Sequence, residues 1–196
     1  MSIHKRKESV VAVITTFNRL DKLKKAVKHS LRQDFLGIVI VNNCSSDGTE
    51  KWLEKVLKSQ IAKGDNRLRI LNLKKNYGGA GGFHYGFKTA VKEFNSDWLV
   101  CFDDDAYPKA DMLKNFDRLD LDDDISGIAA AVYLPDGSIS EMNRPSINPF
   151  KSGVLALFKG VFSRGSYHVS DEKYKSPYKL KKVDYCSFVG CFIKVK

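Results

Sequence analysis

Trp98-Leu99-Val100-Cys101-Phe102 runs without a polar break into Asp103-Asp104-Asp105. Five apolar residues in succession read as a strand covered on both faces, and the carboxylates mark where it leaves the core. The same grammar holds upstream. Residues 10–14 are a near-continuous apolar run ending in Thr15-Thr16-Phe17-Asn18-Arg19, and a second run over 35–41 ends in Asn42-Asn43-Cys44-Ser45-Ser46-Asp47-Gly48. A third, near 68–71, opens into a loop over 72–76. Between the runs lie helical patterns: Leu20, Leu23, Val27 and Leu31 on one stripe, a second helix over 49–57, and a third reaching about 94 after Tyr77-Gly78-Gly79-Ala80-Gly81-Gly82. Regular alternation of strand and helix implies an α/β fold with a mostly parallel sheet and right-handed crossovers. Ligands of such sheets gather beyond the carboxyl ends of the strands, where all four polar loops fall.

Downstream the pattern loosens. A helix is expected over 109–119 after Pro108, a strand over 128–134, and a hairpin turn at Pro135-Asp136-Gly137-Ser138 returning through Ile139. Residues 150–162 carry Phe150, Val154, Leu157, Phe158 and Val161 at helical spacing among basic residues, so the stretch 150–164 is a candidate for peripheral membrane contact. A polar loop over 163–178 and strand-like character over 181–195 complete the chain.

The 196 residues suit one domain with a sizeable core, and 43% hydrophobic with 29% charged residues excludes disorder and fibres. No apolar run approaches the ~18 residues of a membrane span, and the apolar stretch after the basic start is too short for a signal peptide. A cytoplasmic protein is expected, with peripheral contact on the inner face of the membrane. Cys44, Cys101, Cys186 and Cys191 show no metal-binding spacing and read as free, mostly buried thiols. With 33 Lys+Arg against 23 Asp+Glu the net charge is +10, which favours anionic partners; nucleic acid, anionic lipid and sugar-nucleotide phosphates all stay open on charge alone. No nucleic-acid motif is present, and an acidic triplet would repel phosphate without a metal.

The three aspartates carry the strongest chemical signal. Two carboxylates ~5 Å apart repel by on the order of 3 kcal/mol at an effective dielectric of 20, and a divalent cation removes that cost. On extended backbone, residues i and i+2 share a side, so Asp103 and Asp105 can hold one ion while Asp104 faces elsewhere. All-oxygen ligation suits Mn²⁺ or Mg²⁺. The other acidic cluster, Asp120 and Asp122 to Asp124, follows an exposed helix and reads as a solvated face. The glycine-rich stretch lacks GK[ST] and GxGxxG spacing, but offers close backbone approach at a helix start. Helix caps and Asx turns account for Asn43, Ser46 and Asp47 taken singly.

Taken in order, TTFNR, NNCSSDGT, NYGGAGG and CFDDDA resemble the nucleotide-binding half of family-two glycosyltransferases of the GT-A fold, with galactofuranosyltransferases nearest and rhamnosyltransferase-like relatives next. The resemblance covers about residues 9–108 closely and implies a nucleotide-sugar-binding half over 1–108. Residues 109–196 would be the start of the acceptor-binding half of the same domain, incomplete at its C-terminal end. It implies that Thr15, Phe17 and Arg19 line the nucleotide, with Asn43 at the position of a uracil-binding aspartate. Asn76, Gly78 and Gly79 would lie near the sugar-phosphate, Asp103 and Asp105 on the metal, and Asp104 at the donor sugar or ribose.

The implied reaction is a single inverting displacement. A sugar such as galactofuranose moves from a nucleoside-diphosphate donor, UDP-linked by expectation, to a hydroxyl of a glycan or lipid-linked acceptor in cell-surface polysaccharide synthesis. Alternatives are a rhamnosyltransferase using dTDP-rhamnose and a non-catalytic donor-binding or assembly domain. The resemblance places the catalytic base beyond Lys196. Inside the chain Asp136, Glu141 and Asp184 are the remaining carboxylates to weigh, each better read as structural. His84 and His168 are better read as one core residue and one exposed loop residue than as metal ligands.

Overall fold

Seven residues in succession, Val10–Thr16, form strand β1, and every one is buried. The computed structural model describes residues 7–148, 167–175 and 179–195 and sets β1 inside a six-stranded sheet. The stretch 150–164, with its expected membrane contact, lies outside the described residues. On one side of β1 run β2 (Gly37–Asn42) and then β3 (Leu68–Asn72); on the other runs β4 (Trp98–Asp103), all parallel. Two short strands, β5 (Gly127–Ala129) and β6 (Cys191–Lys194), extend the sheet in the order β3-β2-β1-β4-β6-β5, with β6 antiparallel to both its neighbours.

Alternation along β1 divides its side chains between two cores. Val10, Ala12 and Ile14 pack with Leu23 and Val27 of α1 (Leu20–Ser30) and Leu53 of α2 (Thr49–Ala62). On that face Phe116 of α4 (Met112–Phe116) also stacks on Phe192 of β6, ring centroids 4.3 Å apart. Val11 and Val13 face the other way, onto Phe83 and Ala90 of α3 (Gly78–Glu93). Each fully buried aliphatic side chain here stabilises the fold by ~1.5–3 kcal/mol, an upper figure since the unfolded chain already shields some of it. α3 lies unusually near the sheet: a Cβ on Gly86 would stand 2.4 Å from Val13 Cγ1, and one on Gly82 would stand 2.3 Å from Thr15 Cγ2. These glycines seat the helix.

Crossovers through α1 and α2 cover one face and that through α3 covers the other, so the winding reverses between β1 and β4. This switch point leaves a crevice outside the carboxyl ends of those two strands.

Beyond β4 the expectations need correction. The 128–134 strand is only β5, and Pro135-Asp136-Gly137-Ser138 is closed by an isolated Tyr133–Ile139 bridge. The 109–119 helix is the five-residue α4, continued by tight turns in which Arg118 and Leu119 donate to Asn115 and Phe116 carbonyls. Over 181–195 the strand expected is reduced to β6 and an isolated Ser146–Tyr185 bridge, with a turn at Gly190, φ +66°, between them. The polar loop over 163–178 contains a short helix, α5 (Asp171–Tyr174). Arg144 ties this region together, donating to Glu141, to Asp171 at 2.6 Å and to the Val169 carbonyl. All four cysteines are free, but Cys44 and Cys186 are exposed and only Cys101 and Cys191 are buried.

Candidate functional site

Thr15 and Asp103 are register partners across β1 and β4 at the switch point. One residue on, Thr16 donates from its hydroxyl to Asp104 Oδ2 at 2.8 Å, which draws Asp104 inward until only 4% of it is exposed. Arg19, on the rim, donates through Nη1 to Asp105 Oδ2 at 2.9 Å and to Asp104 Oδ1 at 3.4 Å. Asp103 has no comparable relief. Burial pushes its carboxyl above the ordinary range, the Asp105 and then the Asp104 charge push it further, and Arg19 opposes them. An open cleft of ≈ 460 Å³ runs past this corner, with Asn18, Arg19, Lys22, Asp47 and Asp105 among its lining residues.

The loops beside the cleft are cross-tied by short polar side chains. Asn18, in the left-handed region at φ 53°, accepts from the Ser46 amide at 2.7 Å, while its own amide donates to Ser45 Oγ. Asp47 accepts from the Leu20 amide at the start of α1 and from the Thr49 amide and hydroxyl at the start of α2. Burial pushes the Asp47 carboxyl up, but the Thr49 hydroxyl and these amides together hold it below the ordinary range. Asn43 is 2% exposed. Its Nδ2 donates to Asn76 Oδ1 and the Gly78 carbonyl at 2.8 and 2.9 Å, and its Oδ1 accepts from the Tyr77 amide at 2.9 Å.

The residues that the resemblance assigned to nucleotide and metal lie at the carboxyl ends of β1 to β4 and in the loops that follow them, and most fall in two clusters. Arg19, Asp104 and Asp105 are joined directly, with Asp103 beside them; Asn43, Asn76 and Gly78 form the second group, whose side chains hold the loop together. Asp104, expected at the donor sugar or ribose, is bonded to Thr16 and Arg19. Thr15 is buried, and its hydroxyl has no partner among the described residues; Phe17 stands 42% exposed. The glycines divide their labour: Gly82 and Gly86 meet the sheet, whereas Gly78 and Gly79 have open space where a Cβ would stand.

Among the described residues no group of three or more His, Cys, Asp and Glu is arranged to hold a metal ion. The extended backbone expected to put Asp103 and Asp105 on one side ends at Asp103, where the Ala106 amide closes a turn onto the Asp103 carbonyl at 3.1 Å, and it is Asp104 and Asp105 that converge on one cation, Arg19. Asp103 and Asp105 still offer the hard oxygen donors a dication takes, with Asp103 beside like charges that Arg19 partly offsets; Mn²⁺ and Mg²⁺ commonly complete such a pair with water and phosphate oxygens.

The remaining carboxylates are engaged elsewhere. Asp136 accepts from the Ser138 amide and hydroxyl within its turn, Glu141 pairs with Arg144, and Asp184 accepts from the Asn148 amide at 2.8 Å. His84 is exposed on α3 rather than in the core, because it falls on the face turned away from the sheet; His168 is exposed as expected. Asp120 and Asp122 to Asp124 are exposed too. Sequence reasoning missed Thr16 and Asn18. It read Asp47 with Asn43 and Ser46 as caps and Asx turns; Asp47 accepts from Thr49 two residues on, beside the Gly48 N-cap of α2, and its reach to α1 went unread because that contact joins loops 27 residues apart.

The family model described as Glycosyl transferase family 2 matches residues 11–189. Among solved structures the chain is similar to mannosyltransferase PcManGT from Pyrobaculum calidifontis, in complex with GDP-Man and Mn²⁺, at 20% identity and a TM-score of 0.54. That match covers 67% of this chain and 37% of the other. TarS 1-349 from S. aureus matches at 18% identity and a TM-score of 0.45, covering 75% of this chain and 44% of that one. The chain thus spans less than half the length of either neighbour. The likeness to PcManGT is one of fold, and with the family match it gives the sheet and its flanking helices the GT-A architecture. Comparison with curated proteins gives no match.

Proposed function

This chain belongs to glycosyl transferase family 2, and from that premise we propose that its carboxyl-edge cleft binds a nucleoside-diphosphate sugar for inverting transfer to an acceptor hydroxyl. The observation that carries this reading is the acidic corner at the switch point, where three carboxylates in succession meet a single arginine on the cleft rim that bonds Asp104 and Asp105. Asp103 and Asp105 would hold Mn²⁺ or Mg²⁺, which when bound supplies Lewis-acid stabilisation of the leaving diphosphate. Arg19 pairs with diphosphate oxygens through its planar fork of donors. Thr16 and Asp104 anchor that arginine from below, and Phe17 offers an exposed ring to the base. Asn43 and Asn76 act by holding the 76–78 loop against the cleft. The displacement also needs a carboxylate base across the sugar from the diphosphate. Asp136, Glu141 and Asp184 are all engaged away from the cleft lining.

Calorimetric titration of UDP with Mn²⁺ tests the site. The Asp103→Ala, Asp105→Ala double variant loses Mn²⁺-dependent binding, and unchanged titrations would reject the reading. UDP-linked galactofuranose is the donor favoured by the motif order and dTDP-rhamnose the competitor. Both Nδ2 donors of Asn43 are taken within the loop while Oδ1 accepts one amide, so whether it reads the base is tested by a thermal-shift panel of UDP-, dTDP- and GDP-sugars with Mn²⁺. No helix among the described residues is long and apolar enough to cross a membrane. The +10 charge and the basic stretch 150–164 support a cytoplasmic protein that meets a lipid-linked acceptor at an anionic surface. Co-sedimentation with anionic but not neutral vesicles is the expected result.

A further inference from the structure

Arg19 already makes a cation's contacts with the corner assigned to the metal. Its Nη1 lies 2.9 Å from Asp105 Oδ2 and 3.4 Å from Asp104 Oδ1. The two carboxylates are held differently. Asp104 has a second, buried partner in the Thr16 hydroxyl, and its side chain is only 5% exposed. Asp105 and Arg19 are 48% and 56% exposed, and a pair so open to water is weakly held and free to separate. A guanidinium and a dication repel each other and cannot both occupy the same face of one carboxylate.

We propose that Arg19 and a divalent cation compete for Asp105, and that a donor diphosphate, by pairing with Arg19, relieves this competition and couples metal to nucleotide binding. Asp104 stays fixed by Thr16 while Arg19 changes partner, so the exchange needs one side chain to move and leaves the strand ends in place. The diphosphate accepts the guanidinium through paired oxygens, as a carboxylate does. Coupling of this kind is reciprocal: whatever factor UDP adds to metal affinity, the metal adds to UDP affinity. Arg19 thereby sets the preference of the corner for metal with diphosphate over metal alone.

The inference rests on the donor-site reading, and the experiment separates the two. Mn²⁺ affinity is measured by electron paramagnetic resonance with and without UDP, for the wild-type chain, Arg19→Gln and Arg19→Lys. Loss of the competing charge in Arg19→Gln tightens binding of Mn²⁺ alone by about fivefold, the scale of an exposed ion pair, and shrinks the gain in Mn²⁺ affinity on adding UDP. Arg19→Lys keeps the charge and stays near wild type for Mn²⁺ alone. Mn²⁺ binding alone that is unchanged or weaker in Arg19→Gln, or an undiminished UDP effect, would overturn the competition while leaving the donor site standing. Wild-type protein that binds Mn²⁺ no better with UDP than without it would overturn both.

Discussion

The two ends of the sheet handle charge in opposite ways. At the amino edge, Arg67 donates to both oxygens of Asp65 at 2.9 and 2.8 Å and to the carbonyls of Gln33, Phe35 and Leu31. Nearby, the Ser9 amide and hydroxyl donate to Asp97, whose own amide donates back to Ser9 Oγ at 3.0 Å. These contacts tie strand starts to one another and satisfy groups that burial would otherwise strand. At the carboxyl edge, asparagines and Asp47 tie the loops with similar economy, yet Asp103 is left half-buried among like charges. A fold can close the end where nothing has to bind; local rules are broken at the end that has work to do.

The largest effect is expected from breaking the closed end. Arg67→Ala strands three carbonyls and the Asp65 carboxylate, and with the arginine partly exposed the loss is about 2–3 kcal/mol. The hydrogen bond from Arg67 holds the Asp65 carboxyl below its ordinary value of 3.8, so this stability is present above that pH and fades as pH falls through the depressed value. Urea unfolding across pH should therefore show a lower midpoint and a flatter acid limb in the variant, with Mn²⁺-dependent UDP binding intact. Lost binding in a still-folded variant would mean that the two ends are mechanically coupled.

Next comes the loop clamp. Asn43→Asp removes the two Nδ2 donors and sets a carboxylate against Asn76 Oδ1 and the Gly78 carbonyl, both acceptors. About 1–2 kcal/mol should be lost, together with hydrogen-exchange protection in the 76–78 loop. A variant as stable as wild type would show that the asparagine clamp is dispensable and that the carboxyl edge is less tied than its bonds suggest.

The same contrast explains what could be read from the sequence. β1, β2 and β4 were legible because both faces of each are covered, so burial writes itself as an apolar run, while β3, half-buried at the sheet edge with Arg69 inside it, followed from its place in the alternation; the loops at their ends followed from topology. The motif order then fixed the family, and Asp103 and Asp105 stood out because carboxylates side by side after a buried strand are costly. Beyond Asp105 the elements among the described residues are three to five residues long, held by contacts such as Phe116 on Phe192, and too short for any period to register. Within the site, Thr16 could not be connected with Asp104, nor Asn43 with Asn76, since those pairs exist only after the strands align.

The smallest effect is the most telling, since its sign is opposite to that of most substitutions. Burial and the Asp105 and Asp104 charges raise the Asp103 carboxyl above its ordinary value of 3.8, so the folded chain holds that proton more tightly than the unfolded one does. The charged form is therefore a cost, absent in acid, growing as pH rises through the window above 3.8 and complete once the raised value is passed. Asp103→Asn keeps the shape and removes the charge. It should be more stable than wild type by up to about 1 kcal/mol at neutral pH, after allowing for solvent screening at a half-buried group, with the difference closing below the ordinary carboxylate value. Mn²⁺-dependent UDP binding should be lost in the same protein. Unfolding measured at pH 3.5 and 7.5 beside calorimetry decides the point: a variant destabilised at neutral pH would mean that the fold compensates Asp103 after all, and the acidic corner would then differ little from the closed end.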